Sequence, residues 1–267
     1  MHAQAELDAA PSILPTFESQ KLQLPTQTLM SDRDADSDDN ATVFAISEDL
    51  VQSPTHKQAS VTRTDLDGTL HLTPLLLSED LAKGNGGQAW PAGRVLAKYL
   101  LRSRRSELRQ AASIVELGAG GGLVGLAVAV GCRPDAVVHI TDQEPMLDLM
   151  QRNISLNGVE GRVEASVYEW GSARPATVPA HPDVVVAADC VYFEPAFPLL
   201  LQTLSELIGP ETTCYFCFKR RRRADMQFLK AAKKAFDVRD IEDDCDAQAY
   251  VRENIFLYAV TQVSPLG

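Results

Sequence analysis

Ser113-Ile-Val-Glu-Leu-Gly-Ala-Gly-Gly-Gly-Leu-Val-Gly125 is the stretch on which the fold turns. Its first five residues read as a short buried strand, its glycines as a turn, and the apolar run Leu123 to Val130 as a helix. Glycine admits backbone conformations closed to other residues and lets a ligand come close to the main chain. Within the turn, Gly120-Gly-Gly122-Leu-Val-Gly125 satisfies the fingerprint GxGxxG, a pattern too short to decide anything by itself. Its context says more. Glu116 stands just before the first glycine, and Asp142 closes the next predicted strand, where a carboxylate that binds ribose hydroxyls belongs.

Outward from this unit the pattern repeats. Downstream, apolar strands at 136–141, 162–167, 183–188 and 212–218 alternate with helical stretches at 145–157, 195–208 and 224–236. Two more strands, 236–241 and 254–260, have no helix predicted between them, so the last is expected to enter antiparallel across the acidic connection Glu242 to Glu253. Upstream, residues 88–108 carry Trp90, Val95, Leu96, Tyr99, Leu100 and Leu108 at helical spacing. Further upstream, Val61 to Leu66 alternates and Asp67-Gly68 signals a turn before Thr69 to Leu72, so a hairpin is expected over 59–72. The expected fold class is α/β: a Rossmann-like, seven-stranded, mostly parallel sheet with helices on both faces and the last strand antiparallel.

Composition bounds the rest. The chain has 267 residues, 45% of them hydrophobic, enough for a sizeable core, and a net charge of −11. The acidity is concentrated: residues 1–60 hold ten Asp or Glu against three Lys or Arg. Residues 1–58 read as an acidic, largely disordered tail, with Ile13-Leu14 and Phe17 to Leu24 as segments that could fold back, and 59–267 as the folded domain. The mild acidity of that domain argues against a broad nucleic-acid face, and no stable nucleic-acid partner is expected. Five scattered cysteines suit a reducing compartment. The pair Cys214 and Cys217 lies on a predicted strand without a second pair or a nearby His, so it reads as core thiols, and no metal site is expected. The N-terminus has no basic-then-apolar leader, and the most apolar window is broken by Glu116 and glycines. A cytoplasmic protein without a membrane span follows as the expectation, with nuclear presence left open. Asn153-Ile-Ser155 matches the glycosylation pattern but carries no weight in such a compartment.

Asp189-Cys-Val-Tyr192 follows directly on the fourth predicted strand, at the carboxyl edge where open α/β sheets bind ligands. A carboxylate and a phenol placed there can orient an amine; the plainer reading is a cap for the helix near Pro195, six residues away and too far. Taken with Trp90-Pro-Ala, Glu116-Leu-Gly-Ala-Gly120 and Tyr168-Glu-Trp170, this segment resembles the seven-β-strand S-adenosylmethionine-dependent protein-lysine methyltransferases, methyltransferase family 16. The resemblance covers roughly 60–262. Asp189 to Pro198 and the Phe218-Lys-Arg-Arg-Arg-Arg-Ala-Asp225 that follows look most like the fungal branch that methylates elongation factor 1-alpha.

The resemblance implies a class I methyltransferase fold, S-adenosylmethionine as cofactor and a protein substrate, elongation factor 1-alpha first, for a chain expected to be a monomer. It implies cofactor-binding roles for Trp90, Glu116, Gly118, Ala119, Gly120, Asp142, Trp170 and Ala188. Gly118 to Gly120 wrap the methionine and ribose, Asp142 takes the ribose hydroxyls and Trp170 flanks the adenine. Asp189 and Tyr192 then form the catalytic lysine site. Other readings stay open: transfer to another protein, a small molecule or nucleic acid, a non-catalytic cofactor-binding adaptor, or nicotinamide chemistry. The run Lys219-Arg-Arg-Arg-Arg223 reads as a solvated helix entrance or as a grip on an acidic partner.

Overall fold

The computed structural model describes residues 59–71 and 73–263. The tail expected over 1–58, with its two candidate docking segments, lies outside these residues, as does Leu72. A hairpin of β1 (Ser60–Thr64) and β2 (Leu75–Glu79) precedes α1 (Pro91–Ser103) and α2 (Arg105–Gln110). Then follow β3 (Ile114–Leu117), α3 (Leu123–Gly131), β4 (Val138–Asp142), α4 (Leu147–Leu156), β5 (Val163–Val167), β6 (Val184–Ala188) and α5 (Phe197–Leu207). The chain ends with β7 (Thr213–Lys219), α6 (Arg223–Ala235), β8 (Phe236–Asp240), α7 (Ala247–Arg252) and β9 (Ile255–Gln262).

Seven strands form one sheet in the order β5-β4-β3-β6-β7-β9-β8. β3 to β7 run parallel, while β9 enters between β7 and β8, antiparallel to both. The expected architecture is therefore the observed one. Alternate side chains of each central strand feed two cores. Ile114, Val184, Val186, Tyr215 and Cys217 join the apolar faces of α1, α3 and α4 on one side. Val115, Val185, Ala187, Cys214 and Phe216 join α5 and α6 on the other. The three-residue spacing of Cys214 and Cys217 sends them to opposite faces as buried free thiols, as expected for core cysteines.

Three local expectations need correction. The hairpin exists, but its second strand is Leu75–Glu79, not 69–72. Leu66 and Leu70 are buried in the core, so the connection between the two strands is long and anchored by these two side chains. The long helix over 88–108 is two helices. Trp90 is extended at φ −87° and ψ 154°, Pro91 takes the first helical position that proline suits, and Arg104 at φ −122° and ψ 11° breaks α1 from α2. Finally, the acidic connection after β8 contains α7, whose Tyr250 is buried in the first core.

β2 would expose an unpaired edge without α4. Asn153 and Asn157, one turn apart on that helix, supply its partners. The Asn157 amide accepts from Leu76 N at 2.9 Å and donates to Leu76 O at 2.7 Å. Asn153 accepts from Ser78 N at 2.6 Å and donates to Ser78 O at 3.2 Å and to Gly121 O at 2.8 Å. Full burial of Asn153 removes it as a glycosylation site.

Candidate active site

A cavity of about 1050 Å³ opens at the carboxyl edge of β3, β4 and β6. All ten residues singled out in the sequence line it: Trp90, Glu116, Gly118, Ala119, Gly120, Asp142, Trp170, Ala188, Asp189 and Tyr192.

The floor is the glycine turn. Gly118 and Gly120 have φ of +60° and +55°, values that side chains disfavour. Space forbids a side chain as well. A Cβ on Gly120 would stand 2.5 Å from Gly86 O, and one on Gly118 would stand 2.8 Å from Cys190 Sγ and 2.9 Å from the Trp170 ring. Glu116 lies beneath the turn. Its Oε2 accepts from Gly125 N at 2.7 Å, so this carboxyl caps the N-terminus of α3 while bordering the cavity. Burial pushes its pKa up to about 8, against the pull of the Gly125 and Val124 amides.

Asp142 ends β4 and is aimed by its neighbours. Oδ2 accepts from Gly120 N and Oδ1 from Gln143 N, each at 2.7 Å, so the glycine turn and the carboxylate fix one another. Burial raises its pKa, and the two amides lower it. Both oxygens keep further lone pairs for a diol. Trp170, in the turn after β5, is half-buried, with its ring against Gly118. Its companion Tyr168 is fully buried, and its hydroxyl donates to Glu206 Oε2 at 2.8 Å.

Asp189 is the first residue after β6 and takes φ +54°, a left-handed backbone that turns its buried carboxylate back under α1. Oδ2 accepts from Ala92 N at 3.2 Å, so Asp189 does cap a helix, although it is α1 and not the one near Pro195. Oδ1 accepts from Lys219 N at 3.0 Å and from the Arg221 guanidinium at 3.1 Å. The same guanidinium lies 5.2 Å over the Trp90 ring. Tyr192 is 42% exposed at the rim, and its carbonyl accepts from the Arg222 guanidinium. Burial, then the nearby Asp142, raises the pKa of the Tyr192 phenol.

The basic run is therefore built into the site. Asp225, wholly buried in the first turn of α6, accepts from Arg221 N at 2.7 Å and Arg222 N at 2.9 Å, and offsets the cations at that helix start. Arg220 bonds Asn254 at 2.9 Å and lies over Phe256.

Sequence reasoning missed the roof. Residues 77–79 and 84–89 border the cavity, and the loop between them is closed by Asp80 N donating to Gly87 O at 2.7 Å and Ala89 N donating to Glu79 Oε1 at 2.8 Å. Trp90 Nε1 donates to Asn85 O at 2.7 Å and holds the indole against that loop. The cluster Gly84-Asn-Gly-Gly87 was the available signal. Arg221 was visible only as part of a charge run.

A sequence model of the family described as lysine methyltransferase matches residues 69–235. This chain belongs to that lysine methyltransferase family. The methyltransferase is 35% identical over 221 residues to protein-lysine N-methyltransferase EFM6 of Saccharomyces cerevisiae, covering 73% of this chain and 89% of the yeast protein. It is 33% identical to protein N-lysine methyltransferase METTL21A of Danio rerio, covering 66% and 80% of the two chains. It is also 33% identical to EEF1A lysine methyltransferase 3 of Mus musculus, over 69% and 76%. The enzyme is an S-adenosylmethionine-dependent protein-lysine N-methyltransferase. The residues present fit that cofactor: a turn in which Gly118 and Gly120 leave the main chain bare for close approach, an oriented carboxylate for a ribose, and an indole beside the turn for a purine. Among the described residues, no helix is long and apolar enough to cross a membrane.

Proposed function

We propose that this methyltransferase modifies a lysine of translation elongation factor 1-alpha, as a cytoplasmic monomer, and that the cavity divides into a cofactor end and a lysine end. At the cofactor end, Gly118, Ala119 and Gly120 wrap the methionine and ribose, with Glu116 bracing the turn from below. Asp142 takes the ribose hydroxyls, Trp170 flanks the adenine, Trp90 lines the wall and Ala188 approaches through its main chain. At the lysine end stand Asp189 and Tyr192. The single observation behind this division is that Asp142, at the tip of β4, and Asp189, at the tip of β6, border one continuous cavity. The choice of substrate is supported by likeness to the mouse enzyme, whose name specifies EEF1A.

S-adenosylmethionine supplies an electrophilic methyl group on a sulfonium and a neutral thioether as leaving group. The chain has to align a neutral amine behind that methyl. A lysine in water has a pKa near 10.4, and apolar walls lower it. Leu123, Val124 and Ala188 provide such walls. With S-adenosylmethionine bound, the aligned amine would take the methyl group as the thioether leaves with the carbon–sulfur electron pair, and the methylated ammonium would release its proton to water. Asp189 orients rather than abstracts. A carboxylate has about four acceptor positions, and Ala92 N, Lys219 N and Arg221 fill three of them. The remaining lone pair on Oδ2 is available to an amine N–H.

The test is to incubate the purified protein with tritiated S-adenosylmethionine and a methyl-naive fungal lysate. One labelled band at the mass of elongation factor 1-alpha, lost with Asp189→Ala, is the expected result. Label in a different protein overturns the substrate, and no protein label overturns the assignment of the lysine end.

A further inference from the structure

A carboxylate at the mouth of a lysine site poses a problem of charge. Left bare, it binds the substrate as an ammonium and raises the pKa of the amine that has to lose its proton before it can attack. In this structure the carboxylate is not bare. Arg221 Nη1 meets Asp189 Oδ1 at 3.1 Å, and its guanidinium plane lies over Trp90 at 5.2 Å. The main chain of Arg221 is also fixed, by the bond from its N–H to the fully buried Asp225.

We propose that Arg221 is a positioning residue of methyl transfer: it neutralises Asp189, so that the free Oδ2 lone pair orients the incoming amine without holding it as an ammonium. The proposal rests on the assignment of Asp189 to the lysine end. The geometry separates the two oxygens. Arg221 and Lys219 N occupy Oδ1, whereas among the described residues Oδ2 has only Ala92 N. The cation thus cancels charge from one side and leaves the other side open. A cation about 6 Å from the amine shifts its protonation by on the order of one pH unit at the dielectric of a protein surface.

Other charges around the pair do not do the same work. Lys219 gives Asp189 its main-chain N–H. Arg222 turns to Asp225 and the Tyr192 carbonyl. Asp142 lies across the cavity at the tip of β4, and Glu116 is below the glycine turn. Cys190 and Cys217 are buried thiols whose pKa values burial pushes well up, and the Tyr192 phenol is raised too, so all three stay neutral through the pH range of interest.

The experiment compares wild type, Arg221→Met and Arg221→Lys. Initial rates of protein labelling are measured from pH 6.5 to 9.5 at saturating S-adenosylmethionine, in methyl-naive fungal lysate. Binding of S-adenosylmethionine by calorimetry serves as a control for folding. Arg221→Met is expected to move the acid limb of the kcat/KM profile upward by about one pH unit and to recover most of the lost rate at high pH. Arg221→Lys, which keeps the charge, is expected to restore the wild-type midpoint, and both variants to bind the cofactor within about twofold of wild type. A merely structural role lowers the whole profile without moving it. An Arg221→Met midpoint that coincides with wild type therefore overturns the proposal, as does an Arg221→Lys midpoint that follows Arg221→Met. If the label falls on a protein other than elongation factor 1-alpha, the substrate reading fails and the midpoints still decide the role of Arg221.

Discussion

Two aspartates at two strand tips show how far a residue's type, without its partners, can be read. Asp142 was legible because a carboxylate at the end of the second strand of such a unit has one common use. Its Ala variant is expected to weaken S-adenosylmethionine binding by about 2–4 kcal/mol, the loss of a charge-assisted pair of hydrogen bonds, as measured by calorimetry. Asp189 was legible as a site residue but not as a structural one. Its bonds to Ala92 N and Lys219 N join α1 to the end of β7, contacts 97 and 30 residues away in sequence. Asp189→Ala is therefore expected to abolish transfer, to leave cofactor affinity within a few fold, and to lower stability by about 2–4 kcal/mol in urea, because one buried and one partly buried donor lose their acceptor. Loss of binding and transfer to the same degree contradicts the role given to it. Glu116 makes a third case. Its folded pKa of about 8 stands above the 4.5 of an ordinary glutamate. The folded state thus holds a proton that the unfolded chain has released. Stability from this group is full below about 4.5 and is lost as pH rises towards 8. Thermal melts of wild type should show this decline, on the order of 2 kcal/mol or more, and Glu116→Gln, which keeps an acceptor for Gly125 N, should flatten it.

At the scale of elements, the β3–α3 unit could be read because everything that makes it is local: an apolar run, glycines where φ is positive, and an apolar helix. The hairpin could be read only as a hairpin. Its register depends on Leu66 and Leu70 finding the core and on α4 pairing the far edge of β2, and neither is visible in the alternation of 61–66. The helix predicted over 88–108 failed for the opposite reason, since apolar spacing ran through Pro91 and Arg104 while the backbone did not. Asn153 joins three of these pieces, β2, α4 and the glycine turn, through one amide. Asn153→Ala strands Ser78 N and Gly121 O in a buried setting, so it is expected to cost about 2–4 kcal/mol in urea unfolding and to weaken cofactor binding as well. An exposed glycosylation-type asparagine would show neither effect.

For the molecule as a whole, the question is whether the acidic tail belongs to the machine. Among the described residues, the cavity is bordered by side chains and main chain from Leu77 to Arg222, and bonds within that body aim Asp142 and Asp189. Among the described residues, side chains from Leu66 to Val260 build its two cores. The described residues thus supply a glycine turn, a carboxylate and an indole for the cofactor end by themselves. A chain of residues 59–267 is expected to fold, to melt within a few degrees of the full protein, and to bind S-adenosylmethionine with unchanged affinity. The substrate side can respond differently. The tail carries most of the net negative charge, and charge concentrated in one segment of a chain alters association by long-range forces that salt screens. A shortened chain with unaltered cofactor affinity and a changed KM for the protein substrate, the change vanishing at high salt, assigns the tail to substrate encounter. Loss of cofactor binding in the shortened chain shows instead that the folded domain begins earlier than residue 59.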